Sequence, residues 1–339
     1  MKKHIVVAAG LAVLSTGAFA TVARMNALNQ DPAQGSYYIQ DERNVFRTAG
    51  SFSGNYVYFE HGSNGATGDA EGGVFRDGGS MSYGLYLNSD VNDNLADSSA
   101  GAQPVRADLF VKGNSGMNWG VRLGYESITA DAGSLGAGAP AADEDGSTFD
   151  FSVNAELGGA NVWLSMAPAT DNLTGGDGTE SDMQIGATMD MADHTLFAEY
   201  DSEGGAANAD AATRITVGAA RTHSTDSGMW FYDVSLNMTT AEGNVDGVDR
   251  TTLPVTIGFE TKATSWLTWR ASIQQSLFGS LDNNGNEVSA RTTNLGVGAS
   301  LTWGSLRVDG ALVGANLASG AGTLGSNNLM SNVSAVYSF

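Results

Sequence analysis

The chain has 339 residues, of which 42% are hydrophobic and 16% charged, with no cysteine and a formal net charge of −21. This apolar content argues against an intrinsically disordered chain, and the absence of cysteine excludes a disulfide framework. The negative charge disfavours nucleic acid as a partner, because phosphate binding requires a basic surface.

Residues 1–20 have the pattern of a secretory signal peptide. Lys2 and Lys3 precede an apolar run from Ile5 to Leu14, and the small residues around Ala20 form a cleavage site. An apolar run of about 10 residues is too short to cross a bilayer of about 30 Å as a helix. We therefore expect export, with cleavage near Ala20.

Residues 21–53 differ from the rest of the chain. Apolar residues at spacings of three and four occur only weakly, in VARMNALNQ (22–30), and the segment also contains SYYI and NVF. Beyond residue 50 the apolar residues recur with a period of two. We expect residues 21–53 to form an N-terminal extension, separate from strands that begin near residue 54.

The period of two predicts amphipathic β-strands. In FDFSVNAEL (149–157) apolar residues alternate with Asp, Ser, Asn and Glu, and MNWGVRLGYE (117–126) alternates in the same way. Successive side chains of a strand point to opposite faces, so each segment has one apolar and one polar face. The pattern predicts about 16 strands, near 54–61, 71–77, 80–89, 104–113, 117–129, 147–157, 160–167, 181–191, 194–202, 212–222, 229–239, 249–260, 265–276, 290–303, 305–314 and 327–339. The segment 71–77 barely alternates; without it and one N-terminal strand the count would be 14.

The polar faces and the connections favour a membrane barrel over a tandem of soluble β-sandwiches. The polar faces are rich in Gly, Ser and Asn, which suits a curved, wet inner wall, whereas a soluble sandwich would tend to carry Thr, Lys and Glu. Short turns such as 77–79 alternate with long connections such as 130–146 and 277–289, as in outer-membrane barrels. About ten residues at a tilt cross a bilayer. We predict an all-β fold, a transmembrane antiparallel up-and-down β-barrel over residues 54–339.

The tryptophans support this topology. All six lie within about four residues of a predicted short turn, and amphipathic rings collect at membrane interfaces. We interpret them as an aromatic girdle on the side of the short turns, although strict alternation would point Trp163 and Trp266 inward.

The chain closes on NVSAVYSF (332–339), in which Val333, Ala335, Tyr337 and Phe339 take every second position. With the signal at 1–20 and the series of strands, this ending resembles the porin-like outer-membrane β-barrels of Gram-negative bacteria. In that family the last strand ends in Phe and is recognised by the barrel-assembly machinery, so the resemblance implies an assembly signal at these four residues. It also implies an integral outer-membrane protein surrounded by lipid, and a homotrimer is usual in the family.

A barrel of 16 strands leaves an aqueous channel, so we expect a porin for the passive diffusion of small hydrophilic solutes and ions. The resemblance implies that the third long loop, 130–146, narrows the pore with Asp131, Asp143, Glu144 and Asp145. The loop lacks the Pro-Glu-Phe-Gly-Gly motif of many general porins, and the alternative is a solvated surface loop.

Charged residues on the predicted inward face would set ion selectivity. Rings of one sign raise the local concentration of the opposite sign, so the acidic loops and net charge predict a mild cation preference. The predicted pore-lining residues are Arg106, Asp108, Arg122, Glu126, Arg214, Arg270, Arg307 and Asp309.

Other functions have weaker support in the sequence. Only His61, His194 and His223 follow the signal, no Ser lies in a nucleophile-elbow motif, and a zinc site is disfavoured, so we expect no enzyme and no cofactor. The acidic stretches 175–182 and 282–287 could bind Ca²⁺ through oxygen ligands. The functional alternatives are a substrate-specific or plugged transporter, and a structural or adhesive barrel. Residues 21–53 would be a periplasmic extension, a pore-plugging segment or an extra strand.

Overall fold

The computed structural model describes residues 21–62, 70–89, 105–113, 116–130, 144–169, 181–204, 211–242, 248–283, 286–289, 291–314 and 332–339. A short helix, Val22–Ala27, and a 3-10 helix, Glu42–Phe46, precede the strands. Within these ranges no helix is long and apolar enough to span a membrane.

The rest of the described chain is one antiparallel sheet. Its strands are β1 (Tyr56–Gly62), β2 (Ala70–Asp77), β3 (Met81–Leu87), β4 (Val105–Gly113), β5 (Trp119–Ala130), β6 (Glu144–Leu157), β7 (Ala160–Ala167), β8 (Asp182–Met191), β9 (His194–Glu203), β10 (Ala211–Thr225), β11 (Gly228–Glu242), β12 (Val248–Lys262), β13 (Leu267–Asn283), β14 (Asn286–Ser289), β15 (Thr293–Trp303), β16 (Leu306–Gly314) and β17 (Asn332–Ser338). Both β14 and β15 pair with β13, so they act as one interrupted strand and the wall has 16 strands.

The sheet closes into a ring because the first strand pairs with the last. The pairing of β1 with β17 runs from Tyr56↔Ser338 to Gly62↔Asn332. A closed ring leaves no unpaired edge, which the hydrocarbon region of a bilayer requires. The predicted barrel of 16 strands is confirmed, and the alternative of 14 is wrong. The doubtful strand 71–77 is β2, which pairs with both β1 and β3.

The apolar faces of the strands point outward. In β3, the side chains of Met81, Tyr83, Leu85 and Leu87 are exposed, whereas Ser82 and Tyr86 between them are buried. The other strands repeat this pattern, with exposed side chains such as Leu109, Leu123, Phe149, Ile185, Ile257 and Val297. A soluble protein does not expose apolar surface on this scale, so this face requires lipid and the soluble sandwich is wrong.

Apart from the connections on either side of β14, the short connections lie at one end of the barrel. Two-residue turns join β6 to β7, β8 to β9, β10 to β11 and β15 to β16, and both ends of the ring, Tyr56 and Ser338, are at this side. The long connections join strands at the opposite end and lie largely outside the described residues. This is the predicted asymmetry of short inner turns and long outer connections.

Two predicted boundaries at the outer end are wrong. Residues 277–289 were expected to form a long connection, but β13 continues to Asn283 and β14 pairs back on it. Glu144 and Asp145 were expected in the loop 130–146, but they pair with Ala130 and Thr129 at the start of β6. Backbone pairing can continue beyond the lipid, where apolar alternation is not needed, so the sequence pattern underestimates these strands.

The last strand generates a prediction about assembly. Phe339 is 63% exposed and its N–H donates a hydrogen bond to the carbonyl of Asn55 at 3.1 Å. Because the resemblance implies that the assembly machinery reads this terminus, we expect Phe339→Ala to lower the yield of folded barrel in cell membranes several-fold. Heat-modifiable mobility on gels would measure it. Trp303→Ala, which removes a still more exposed aromatic at the same end, is the matched control. Equal yields for both variants would contradict the prediction.

Candidate functional site

Residues 21–53, hereafter the luminal segment, lie inside the barrel. Their hydrogen-bond partners are inward-facing residues from strands all round the ring. The contacts join Thr21 to Asp309 (β16), Val22 to Tyr58 (β1), Gln34 to Gln184 (β8), Tyr38 to Asp233 (β11) and Gly50 to Asn154 (β6). Since the apolar faces of these strands point outward, the segment occupies the space that the sequence predicted to be a water-filled pore.

The helix Val22–Ala27 packs closely against glycines of the wall. Thr21 caps it by accepting a hydrogen bond from the N–H of Arg24 at 3.0 Å. A Cβ on Gly298 would lie 2.6 Å from the Cβ of Ala27, and one on Gly296 would lie 2.5 Å from the carbonyl oxygen of Ala27. Larger residues at these positions of β15 would push the helix away, so here the glycines allow close backbone approach.

A hydrophobic core joins the second half of the luminal segment to the wall. Val45, Phe46, Ala49 and Phe52 are at most 1% exposed. Phe46 packs edge-on against Tyr86 and Phe110, with ring centroids 5.1 and 5.6 Å apart. The wall residues of this core are Tyr56, Tyr58, Phe75, Tyr86, Phe110 and Val336. Burial of such a side chain contributes about 1.5–3 kcal/mol, so this core holds the segment in place.

The first half of the segment makes a second set of apolar contacts on the opposite strands. Met25, Leu28 and Ile39 pack around Phe231 of β11. Tyr37 stacks on Phe197 of β9 with centroids 4.5 Å apart, and the buried Trp163 of β7 lies 6.2 Å from Tyr37. Trp163 is therefore inside the barrel and not in the girdle, whereas Trp230, Trp266, Trp269 and Trp303 are exposed.

Three arginines of the segment, hereafter the anchor arginines, reach carboxylates on three sides of the wall. Arg24 contacts Glu260 of β12 at 2.8 Å and Asp41 of the segment at 3.1 Å. Arg47 contacts Glu199 of β9 at 3.2 Å and covers the ring of Tyr37 at 4.0 Å. All three side chains are at most 3% exposed, so their charges are compensated by these partners and not by bulk water.

The third anchor, Arg43, lies between two glutamates. Its Nη1 is 2.9 Å from Glu71 and 3.7 Å from Glu60, and it donates to the Tyr86 hydroxyl at 3.2 Å. Its guanidinium covers the ring of Phe46 at 4.6 Å. Glu60 is on β1 and Glu71 is on β2, so this anchor fixes the segment to the closing strands.

The structure places the predicted pore-lining residues on the inward face, in three groups. Arg106, Asp108, Arg122 and Glu126 form one network on β4 and β5 with Asp150 of β6; Arg106 contacts Asp108 at 3.0 Å and Glu126 at 3.4 Å. Arg270, Arg307 and Asp309 form a second, in which Asp309 lies 3.1 Å from each arginine. Arg214 is apart, half-exposed and paired with Asp201 and Glu203. Opposite charges thus pair along the wall, and a role in selectivity stays a prediction.

The other predicted residues are placed as follows. Asp131 and Asp143 lie outside the described residues, and Glu144 and Asp145 are in β6. Tyr337 is exposed on the outward face of β17, with Val333 and Ala335 on the same face. The calcium prediction for 175–182 and 282–287 falls largely on residues whose side chains are not described. In the part of the chain that is described, no three His, Cys, Asp or Glu residues are grouped as a metal site.

Sequence reasoning missed the anchor arginines and two of their partners, Glu60 and Glu71. One signal was present: Lys and Arg together number only 16, yet three arginines lie in the short segment without period-two alternation.

Comparison with known proteins identifies the fold. No protein-family model matches the chain, and no curated protein matches it. A bacterial polysaccharide outer-membrane secretin is similar in structure, with a TM-score of 0.53 and 8% identity, covering 84% of this chain and 97% of that chain. The fold is that of an outer-membrane β-barrel. The monoaromatic hydrocarbon channel CymD (TM-score 0.44, 12% identity, 94% of this chain and 98% of that chain) and a porin (0.45, 10%, 84% and 99%) score lower. At these identities the similarity concerns the fold alone.

The burial of Glu42 predicts that the docking of the luminal segment depends on pH. Burial raises the pKa of Glu42 to about 8, although a hydrogen bond from Tyr56 opposes the shift. A free glutamate has a pKa of about 4.3. Because the docked form binds this proton more tightly, its contribution to docking is fully present below a pH of about 4.3 and is lost as the pH rises through about 8.

We therefore expect the segment to undock more readily at pH 8.5 than at pH 5. The chain has no cysteine, so the labelling rate of Ala49→Cys, a buried position, divided by that of the exposed Ser53→Cys, measures undocking. The ratio should rise with pH, and Glu42→Gln should reduce the rise. Burial also raises the pKa of Asp41 to about 6, so a smaller rise remains in this variant. A ratio that does not change with pH would contradict the assignment.

Proposed function

We propose that the protein is an outer-membrane channel whose lumen is closed by the luminal segment, so that solutes pass only when residues 21–53 move. The observation that carries the proposal is the burial of this segment against inward-facing residues all round the ring. Thr21, Ala23, Met25, Leu28 and Phe52 have no exposed surface. Such packing favours the plugged alternative over the freely open porin that the strand count suggested.

The kind of contact supports a closure that can be reversed. Burying an ion pair costs desolvation that roughly cancels its attraction, so the anchor arginines contribute specificity more than net stability. They fix where the segment sits, while the apolar core around Phe46 supplies the favourable energy.

The remaining features of the proposal follow from the resemblance of the sequence to porin-like outer-membrane β-barrels. The apolar outer face supports integral insertion in lipid of the Gram-negative outer membrane, after signal cleavage near Ala20 and insertion by the barrel-assembly machinery. Small hydrophilic solutes and ions are the proposed cargo. A homotrimer stays a prediction, as does the narrowing of the pore by loop 130–146.

Single-channel conductance in planar bilayers tests the closure. We expect the wild type to be silent or to open rarely. The triple variant Arg24→Gln, Arg43→Gln and Arg47→Gln leaves Glu60, Glu71 and Glu199 of the wall buried without their arginines, whereas Glu260 keeps Arg270. One broken buried pair costs about 3–5 kcal/mol. Since about 1.4 kcal/mol is tenfold in an equilibrium, the open probability should rise at least about tenfold.

The control is Arg214→Gln, which removes an arginine of the wall whose partners are Asp201 and Glu203 and not the segment. It should behave as the wild type does. Steady, large conductance steps from the wild type would refute closure and restore the open porin.

A further inference from the structure

We propose that Glu60 and Glu71, with the Tyr86 hydroxyl, form a binding site for organic cations that carry a guanidinium or amine group, and that such a solute opens the channel by replacing Arg43. The inference rests on the proposed closure and names the chemistry that would release it. Arg43 is the resident occupant of this site, hereafter the glutamate pair site.

The two glutamates occupy an unfavourable pair of positions, because their like charges are on neighbouring strands. They are directly opposite in register on β1 and β2, and both point inward. Glu60 is 1% exposed and Glu71 is 8% exposed. Like charges directly opposite on neighbouring strands are destabilising, so a cation between them stabilises the wall. Arg43 supplies it, with Nη1 2.9 Å from one carboxylate and 3.7 Å from the other.

The site is matched to a guanidinium in more than charge. The Tyr86 hydroxyl accepts a hydrogen bond from the same Nη1 atom, and Ser334 donates to Glu60 from the other side. The wall therefore offers two carboxylates and a hydroxyl from β1, β2 and β3. A single nitrogen, Nη1 of Arg43, meets all three groups, so a nitrogen that carries several N–H donors, in a guanidinium or an amine, satisfies this set.

The other two anchors leave weaker sites. When Arg24 departs, Glu260 keeps its contact with Arg270 of the wall at 3.0 Å. Glu199 is a single carboxylate, and the ring of Tyr37 that covers Arg47 belongs to the segment and would leave with it. The departure of Arg43 leaves two carboxylates directly opposite each other on neighbouring strands, which is why the cation is assigned here.

The position of the site also suits a solute that enters the barrel from the end opposite the short turns. Glu60 is near the end of β1 away from the short turns, and Glu71 is near the corresponding end of β2. The turn at Asp31–Gly35 adjoins it, because Arg43 donates to the carbonyl of Pro32 at 2.9 Å, and the Asp31 side chain is 42% exposed. Asp31 also contacts Arg47 at 3.4 Å, so two of the anchor arginines hold this turn next to the site.

Binding and closure are then linked. A solute that binds the glutamate pair site only when Arg43 has left shifts the equilibrium towards the open form, by an amount set by its affinity and concentration. The probe is guanidinium chloride at low millimolar concentration, compared with equal urea, its neutral analogue, and equal potassium chloride. We expect guanidinium to raise the wild-type open probability several-fold, and the other two to leave it unchanged.

Variants make the test specific. Glu60→Gln with Glu71→Gln should abolish the response to guanidinium, whereas Glu203→Gln, which removes an exposed carboxylate paired with Arg214, should keep it. The labelling rate of Ala49→Cys, measured with both glutamates intact, should rise with guanidinium and not with urea. This measurement tests the site even if the double variant does not fold.

The outcomes separate this inference from the proposed function. If the triple arginine variant opens but guanidinium changes neither conductance nor labelling of the intact site, the cation site is wrong and the closure stands. An equal response to urea would likewise overturn the site. If the triple variant conducts as the wild type does, the closure itself fails.

Discussion

The structure depends on the absence of water in the hydrocarbon region of a membrane. A backbone group that faces lipid must find its partner within the protein, so every strand needs two neighbours and the sheet must return to its first strand. The pairing of β1 with β17 meets this requirement. Closure in turn divides each strand into an outward side that meets lipid and an inward side whose surroundings are not fixed by the membrane.

The luminal segment determines those inward surroundings. An inner wall that meets water can be polar at every position, but here Tyr56, Phe75 and Phe110 are inward and almost completely buried. They find apolar partners in Val45, Phe46 and Phe52 of the segment. The glycines of β15 allow the helix at Val22–Ala27 to approach the wall backbone closely. The inward carboxylates form ion pairs with the anchor arginines of the segment. The wall and the segment are therefore complementary in shape, polarity and charge.

Much of the barrel could be predicted from the sequence because the signal for each strand, the alternation of apolar and polar residues, lies within that strand. Alternation along one strand fixes which side chains face lipid, and it placed Phe149 outward and Asp150 inward as the structure has them. It was barely present in β2, which contains Gly72 and Gly73, so this strand was the doubtful one of the 16. It could not place the end of β13, because a strand beyond the lipid needs only hydrogen bonds. For Trp163, proximity to a turn indicated the girdle and alternation indicated the interior, and alternation was correct.

The site could not be predicted in the same way, since its contacts join residues that are far apart in the sequence. Alternation gives the direction of a side chain and not its partner: Arg24, the partner of Glu260, is 236 residues away in a segment without strand periodicity. Charge offers a more general criterion. Glu60 and Glu71 repel each other on neighbouring strands, and burial strengthens that repulsion by removing water. In the closed form this pair is stabilised by a cation, and Arg43, which lies outside the strands in the sequence, supplies it.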